Sequence, residues 1–430
     1  MFNLFFKYPP KKCICKAPFA SMYFRPDGSV TPCCFNTSYV YGRYPENSVR
    51  EIWEGNAVKT FRNFILNNDL SHGCQICKKH ISSNNIEAAG MQHYEMFKLN
   101  RTRPVKFEFE LSHQCNLNCI MCFQPKDSRS TSKIYDQEFI KQISAFLPTI
   151  QDLEFFGGEP FSIELYYDLW EEINKINPEC IVIIQTNGTI WNERVKNIIE
   201  HGRYKISVSL DAIDELLYEH IRVNAHLSKT LENIAHFNEY MKSTNDKLNI
   251  AVCPMRNNAF NIPDIIRFTT NINANIYFHT VFYPPKLSLI YYSKKELEEI
   301  LNHYRDFSNE FKDISPQNKR SLQILTNQIT TFISNWSKSE NLIELNNDFE
   351  NCFIITMNKI EQYLSKEELP ATREKLHLMF SELLATFPVV YGINHIMNNA
   401  DRNFIIDLIR KSDHQELVEY FITYTLFSIE

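Results

Sequence analysis

Long apolar runs are missing from this chain. No stretch of its 430 residues approaches the roughly 18 apolar positions of a membrane-crossing helix, so no membrane partner is expected. The opening segment, Met1 to Lys12, is apolar but short, and it ends in Pro9, Pro10, Lys11 and Lys12. A secretory signal needs a longer apolar stretch and a small-residue cleavage site, so a cytoplasmic protein is expected. There is no Walker-type phosphate loop and no serine-nucleophile elbow, which sets those two chemistries aside. Internal repeats and low-complexity tracts are also lacking. Positive charge is not in excess: the net charge of −6 argues against a nucleic-acid partner for the whole chain. The charge is unevenly spread. Residues 1–80 carry eleven Lys and Arg against five Asp and Glu, whereas residues 291–430 carry fourteen against twenty-one. The basic start can still attract an acidic partner. Glycine is nearly absent from the last 140 residues, where Gly392 stands alone.

What the chain has is length, apolar content and cysteine. With 430 residues and 44% hydrophobic residues it can build two or three domains. Nine of its twelve cysteines precede residue 123 and come in close sets: Cys13 and Cys15, Cys33 and Cys34, Cys74 and Cys77, then Cys115, Cys119 and Cys122. In a cytosolic chain such spacing points to metal ligation rather than disulfides.

Three regions separate. Residues 1–100 hold the paired cysteines. Residues 101–290 alternate strand and helix signals. Residues 291–430 read as helical, with apolar residues at helical spacing over 376–387 and 404–426. In the middle region six β-like runs cover 105–112, 151–156, 181–187, 205–211, 248–255 and 275–283. Helical stretches such as 136–147, 162–176, 191–200 and 227–242 lie between them. Strand–helix repetition implies parallel strands with crossover helices, and six such units suit an α/β fold, an open partial (β/α)6 barrel. Within the first run Glu108, Glu110 and Ser112 share one face, and Phe107, Phe109 and Leu111 the other. In a barrel wrapped by helices the apolar face meets the helices, and the polar face lines the interior.

Cys115, Cys119 and Cys122 follow the first of these strands in the run CNLNCIMC. Thiolates suit iron–sulfur clusters or zinc, and three close ligands leave a metal position open for chemistry. The spacing CxxxCxxC after a strand resembles the signature of the radical SAM superfamily. Gly157-Gly158-Glu159-Pro160 at the end of the second strand is similar to that family's GGEP motif, and Thr186-Asn187-Gly188 ends the third strand. The resemblance covers about 105–285. One departure is Met121, where the family often has an aromatic residue; its polarizable sulfur can still pack beside adenine.

The resemblance implies a [4Fe–4S] cluster on the three cysteines, with S-adenosylmethionine bound to its fourth iron. It implies reductive cleavage of that molecule to a 5′-deoxyadenosyl radical, which takes a hydrogen atom from a substrate. An electron donor such as flavodoxin or ferredoxin is implied with it. In these terms Gly157 and Gly158 allow close approach of backbone to ligand. Glu159 offers a carboxylate to the methionine ammonium, and Pro160 opens the next helix. Asn187 and Ser209 suit polar contacts to the ribose or amino-acid part, as does Asp211. Arg222 pairs with the carboxylate of S-adenosylmethionine or is a solvated helix charge.

Cys15 is followed by twelve residues, Gly28, four residues and Cys33. With Asp27-Gly28 as a tight turn between two short strands, then Glu51-Ile52-Trp53 and the Cys74/Cys77 pair, this resembles the first half of a SPASM or twitch auxiliary-cluster domain. In most members that domain follows the barrel, and its second half is missing here. Cys15, Cys33, Cys74 and Cys77 suffice for one auxiliary iron–sulfur cluster. A structural zinc site on the same four thiolates is the alternative. Cys13 and Cys34 substitute or stand idle.

Cys253 is either a hydrogen-atom donor or a small buried strand residue, and His279 either faces the cavity or is a satisfied rim histidine. SPASM-like relatives often mature ribosomal peptides, so the expected substrate is a peptide or protein side chain. A small molecule or RNA is the alternative within the family. A non-catalytic metal-bound scaffold is the alternative outside it.

Overall fold

The computed structural model describes residues 14–82, 89–99, 102–122, 124, 134–281, 284–343, 353–354, 357–358, 360–386, 406, 408–410, 412–414 and 417–418. Cys13, and most of the helical pattern expected over 404–426, lie outside the described residues.

Nine strands are present among these residues: β1 (Ser21–Phe24), β2 (Ser29–Thr31), β3 (Gly42–Arg43), β4 (Lys106–Phe109), β5 (Asp152–Phe155), β6 (Ile181–Thr186), β7 (Arg203–Ser209), β8 (Asn249–Val252) and β9 (Asn275–Phe278). Their order in the sheet is β3-β2-β1-β4-β5-β6-β7-β8-β9, and the sheet is open. The six expected runs are β4 to β9, in chain order, and β4 to β7 pair parallel. The helices in the first part are α1 (Ala17–Ala20), α2 (Val49–Glu54), α3 (Asn56–Leu66) and α4 (Gln75–Ser82). Those between the parallel strands are α5 (Gln137–Ser144), α6 (Glu164–Ile176), α7 (Glu193–Glu200), α8 (Glu215–Ile221), α9 (Leu227–Ser243) and α10 (Ile262–Asn271). They are followed by α11 (Lys294–Glu310), α12 (Pro316–Ile343) and α13 (Glu368–Thr386). The partial (β/α)6 barrel anticipated from the pattern is therefore the fold of the middle region. No described helix is long and apolar enough to cross a membrane.

Two compact units form. One comprises Met1–Asn118, Gln124–Ser209 and Asn224–Asn249; the other comprises Cys119–Phe123, Leu210–Val223 and Ile250–Glu430. The boundary expected at residue 100 falls inside the first unit. The reason is strand pairing: β1 lies parallel to β4, with Tyr23 opposite Glu108 and Phe24 opposite Phe109. The Asp27-Gly28 turn joins β1 to β2 as the sequence suggests, and Ser29 donates from its amide and hydroxyl to the Asp27 carboxylate.

Local chemistry explains where the elements start. Ser48 and Glu51 form a capping box on α2, and Asp136, Asn192 and Asp214 cap α5, α7 and α8 with side-chain oxygens. The alternation in β4 is carried out in space. Phe107 and Phe109 are fully buried on the helix side. Phe24, also fully buried, sits 5.3 to 5.5 Å, ring to ring, from Phe107, Phe109 and Phe139 of α5. Each such ring contributes about 1.5–3 kcal/mol by leaving water. The opposite face carries Lys106, Glu108, Glu110 and Ser112, all buried. A buried lysine survives there because Asp152 and Glu154 hold its ammonium at 2.6 and 2.8 Å.

In the second unit α12 packs on β9. Asn318, fully buried, accepts from the Ile276 amide at 2.9 Å and donates to the Ala274 carbonyl at 3.0 Å. One side chain thus stands in for a neighbouring strand at that position.

Candidate metal centres

The loop leaving β4 is fastened from the side of the first unit. Gln114 accepts from the Glu159 amide at 2.7 Å through its carbonyl and donates to the Ser162 carbonyl at 2.8 Å through its side chain. Gly157 and Gly158 take φ of +82° and +40°. A Cβ on Gly157 would enter the Glu110 side chain, and one on Gly158 would enter the Gln114 carbonyl. These positions require glycine for both reasons. The Gly158 amide donates to Gln124 (3.2 Å), whose own amide donates to Glu110 (2.9 Å), and Glu110 also accepts from the Tyr23 hydroxyl.

Glu159 is fully buried. Its carboxylate accepts from the Thr186 hydroxyl and the Asn187 amide, both at 2.7 Å, and from the Phe161 amide at 3.0 Å. It locks the end of β6 to the glycine turn. Pro160 opens a short 3-10 turn over Pro160–Ser162, as its missing N–H allows. Asn187 places its side-chain amide 3.9 Å from the Cys115 sulfur and 2.9 Å from the Asn116 oxygen. The Leu117 amide points at the same sulfur from 3.4 Å. Ser209 accepts from Gln185 at 2.8 Å. Asn116, Gln114 and Gln124 were not singled out from sequence; they are uncharged amides without a motif of their own.

In the second unit Cys119 and Cys122 form a turn, the Cys122 amide donating to the Cys119 carbonyl at 3.2 Å. Met121 is buried in an apolar cluster with Ile221, Met255, Val281 and Leu287, against which Cys253 packs. Arg222 is not a solvated helix charge: it is 5% exposed, its guanidinium meets the fully buried Asp211 at 2.7 Å, and a second nitrogen lies 3.9 Å from the Cys119 sulfur. Burial opposes its charge, but Asp211 together with Cys119, Tyr218 and Cys253 outweighs that and holds it protonated. The other Asp211 oxygen accepts from the Cys253 amide at 2.7 Å. Burial pushes the Cys253 thiol up, and the charge of Asp211 adds to the push. His279 is half-buried beside Tyr277 and donates its amide to the Val252 carbonyl at 2.8 Å.

The amino-terminal cysteines lie in the first unit. Cys33 and Cys77 are buried, Cys15 and Cys74 half-buried. Burial, Glu108 and then the charges of Cys15 and Cys74 raise Cys33 well above the usual thiol range. Cys74 is pushed up to about 11 by burial, with Cys77 contributing. Cys34 is half-buried. Its amide donates to Glu108 at 3.1 Å, and after burial its thiol is governed by the charge of Glu108. Glu108 also accepts from Ser21 at 3.2 Å and from Tyr94. Among the described residues no three His, Cys, Asp or Glu side chains close on a single point. The fit to a metal group rests on the donor set: thiols on both loops, with N–H groups and a buried guanidinium aimed at their sulfurs.

A protein-family model of the radical SAM superfamily matches residues 109–258, and one of the SPASM iron–sulfur cluster-binding domain matches residues 13–78. The chain carries a radical SAM domain with a SPASM domain ahead of it. The radical SAM match takes in the three-cysteine loop, the glycine turn and Cys253; the SPASM match takes in Cys15, Cys33, Cys74 and Cys77. The first domain implies a [4Fe–4S] cluster and S-adenosylmethionine, the second an auxiliary iron–sulfur cluster. Curated relatives include a probable GTP 3′,8-cyclase of Pyrococcus abyssi, 29% identical over 46% of this chain and 65% of its own length. Another, from Methanocella arvoryzae, is 31% identical over 29% of this chain and 40% of its own length. The chain thus spans between 40 and 65% of the length of these two relatives. Solved structures with similar regions include Streptococcus suis SuiB bound to S-adenosylmethionine, at 15% identity and TM-score 0.38 over 58% of this chain and 62% of that one. A second is native anSMEcpe with bound AdoMet, at 20% identity and TM-score 0.37 over 48% of this chain and 60% of that one.

Proposed function

We propose that this radical SAM protein is a peptide maturase: it takes a hydrogen atom from a side chain of a peptide or protein. The observation that supports this reading is the seat of the SPASM module. Its strand β1 is paired to β4, the strand that leads into the three-cysteine loop. The same part of the chain carries eleven basic residues against five acidic ones over residues 1–80, a charge balance that suits an acidic leader peptide.

Cys115, Cys119 and Cys122 would hold the cluster. When bound, the cluster and S-adenosylmethionine supply the electron transfer and the carbon radical. The chain's own residues bind and orient. Gly157 and Gly158 bring backbone close to the methionine end. Glu159, fixed by Thr186 and Asn187, sets the position of that turn, and its carboxylate would serve the ligand's ammonium. Asn187 and Ser209 offer polar atoms to the sugar or amino-acid part. Arg222 offers its guanidinium, whose Nε makes no hydrogen bond among the described residues, to the ligand carboxylate. Asp211 acts through Arg222 as its positioning partner. Cys15, Cys33, Cys74 and Cys77 hold the auxiliary cluster. The residue boundaries 1–100, 101–290 and 291–430 divide the proposed roles and not the compact units, which cut across them. Flavodoxin or ferredoxin in the cytoplasm supplies the electron.

A second reading has one observation in its favour: the curated relatives carry the name GTP 3′,8-cyclase, which makes a small nucleotide the competing substrate. One anaerobic experiment separates the two. The reconstituted protein is reduced with dithionite, given S-adenosylmethionine, and offered either short peptides encoded beside its gene or GTP. Faster 5′-deoxyadenosine formation with a peptide, and a mass change in that peptide, supports the first reading. Stimulation by GTP alone replaces it with the second. About eight irons per chain are expected for two four-iron clusters, falling to about four in Cys115→Ala/Cys119→Ala/Cys122→Ala.

A further inference from the structure

The assignment of Cys15, Cys33, Cys74 and Cys77 to an auxiliary centre leaves two neighbouring side chains without a role. Asn36 is 1% exposed. Its backbone amide donates to the Cys33 carbonyl at 3.2 Å. Its side-chain amide donates to the His72 carbonyl at 2.8 Å and points at the Cys74 sulfur from 3.3 Å. Its side-chain oxygen accepts from the Tyr39 amide at 3.1 Å. One asparagine therefore ties together cysteine segments that are far apart in sequence. Gly73 is required for this, because a Cβ there would enter the Asn36 side chain.

Tyr41 is 5% exposed, and its hydroxyl has no hydrogen-bond partner among the described residues. A buried hydroxyl without an acceptor costs about 1–3 kcal/mol, so the position calls for one. The backbone is fixed by a 2.7 Å bond from the Tyr41 amide to the Val30 carbonyl, and the ring packs edge-on against Phe61. Burial acts most on this hydroxyl, and after it the charges of Cys33, Arg62, Cys15 and Cys74, in that order. Three of the four are cysteines assigned to the centre. The fourth, Arg62, is 6% exposed, lies 4.2 Å from the Trp53 ring centroid and donates to the Pro18 carbonyl at 2.8 Å. Its buried positive charge acts on the same hydroxyl as those three cysteines and opposes their negative charge there.

We propose that Asn36 and Tyr41 donate hydrogen bonds to sulfurs of the auxiliary iron–sulfur cluster and, with Arg62, raise its reduction potential. The physical reason is direct. Reduction adds negative charge to the sulfurs, so donors and a nearby cation stabilise the reduced state more than the oxidised one. Neither residue ligates metal; both act on the group the cysteines hold. The sequence does not single them out, because an asparagine and a tyrosine near a cysteine pair carry no spacing rule.

The inference rests on the reading of the four cysteines as ligands, and the test keeps the two apart. It uses the full chain with Cys115→Ala/Cys119→Ala/Cys122→Ala, so that only the auxiliary centre remains. Iron and sulfide are counted, and the cluster is titrated electrochemically with its EPR and visible spectra as readout. Tyr41→Phe removes only the orphan hydroxyl. Asn36→Asp replaces the donor while keeping the oxygen that Tyr39 uses. The expected result is a midpoint shifted to more negative potential in Tyr41→Phe at unchanged iron content, and a shift of the same sign in Asn36→Asp. An unchanged midpoint in Tyr41→Phe at full iron loading overturns the proposal alone, whether or not Asn36→Asp folds. Zinc, or no iron, in the parent triple variant overturns the iron–sulfur reading of the centre and the proposal with it.

Discussion

Arg222 carries a full charge into a place with almost no water, and Asp211 is what makes that tolerable. Removing one partner of such a pair leaves the other buried and uncompensated, at a cost of about 3–5 kcal/mol. Asp211→Ala is therefore expected to lower stability by that order, read as a shift in the urea midpoint. Arg222→Lys keeps the charge but loses the planar fork. If the guanidinium grips the carboxylate of S-adenosylmethionine, this change raises KM for that ligand severalfold and leaves kcat little altered. An unchanged KM removes Arg222 from the binding site. Glu108 supplies a pH signature of the fold. Burial raises its carboxyl to about 7, against 4.5 for an ordinary glutamate, with Lys106 opposing the rise. The folded state then binds a proton that the unfolded state releases, so stability falls as pH rises from about 4.5 to about 7 and levels off above. The stability difference between wild type and Glu108→Gln should decline across that window, by a few kcal/mol at about 1.4 kcal/mol per pKa unit. A flat difference shows that Glu108 does not titrate there. The cysteines and the glycine turn were legible because their chemistry fixes residue type and spacing. The partnership of Arg222 with Asp211 was not, since a pair on two different elements leaves no periodic trace.

At the scale of elements, the decisive piece is the turn after β5. Gly158 has φ +40°, and a Cβ there meets the Gln114 carbonyl, so Gly158→Ala must displace either the turn or the loop after β4. Because Glu159 holds Asn187 and donates its own amide to Gln114, the disturbance reaches both flanking strands. Gly158→Ala is expected to retain iron while losing measurable binding of S-adenosylmethionine, followed by the change that the ligand makes in the EPR spectrum of the cluster. Retained binding shows that the turn can relax without consequence. The six strands of the barrel were legible to within a few residues, because each combines β-branched or aromatic residues with turn signals at its ends. The polar stripe of β4 was legible too: alternation assigned Glu108 and Glu110 to one face, and both are buried there. The attachment of β1 to β4 was not legible. Strand partners separated by more than eighty residues are chosen by packing, here by Phe24 among Phe107, Phe109 and Phe139, rather than by local pattern.

For the whole molecule, the question is where the chain can be divided. Composition suggested a break near residue 290, where glycine disappears and acidic residues gather. The second unit argues otherwise, since it unites the chain from Ile250 onward. Asn318 of α12 bonds the backbone on either side of Asn275 in β9, and Gln328 reaches Thr280 at 2.6 Å. Tyr304 of α11, fully buried, donates to the Ala259 carbonyl at 2.7 Å. Cutting at residue 290 would strip β9 of this cover and leave unpaired backbone groups at an exposed edge, a template for aggregation. Cutting after residue 343 would keep all of these bonds. Two truncations of the full chain therefore make opposite predictions. The 1–343 chain should keep the oligomeric state of the full chain, with near-wild-type near-ultraviolet dichroism in the barrel's aromatic bands. The 1–290 chain should aggregate, or lose that signal, at the same concentration and temperature. If both behave alike and well, the helices after residue 290 are a separable appendage, and the packing of α11 and α12 contributes little to the barrel.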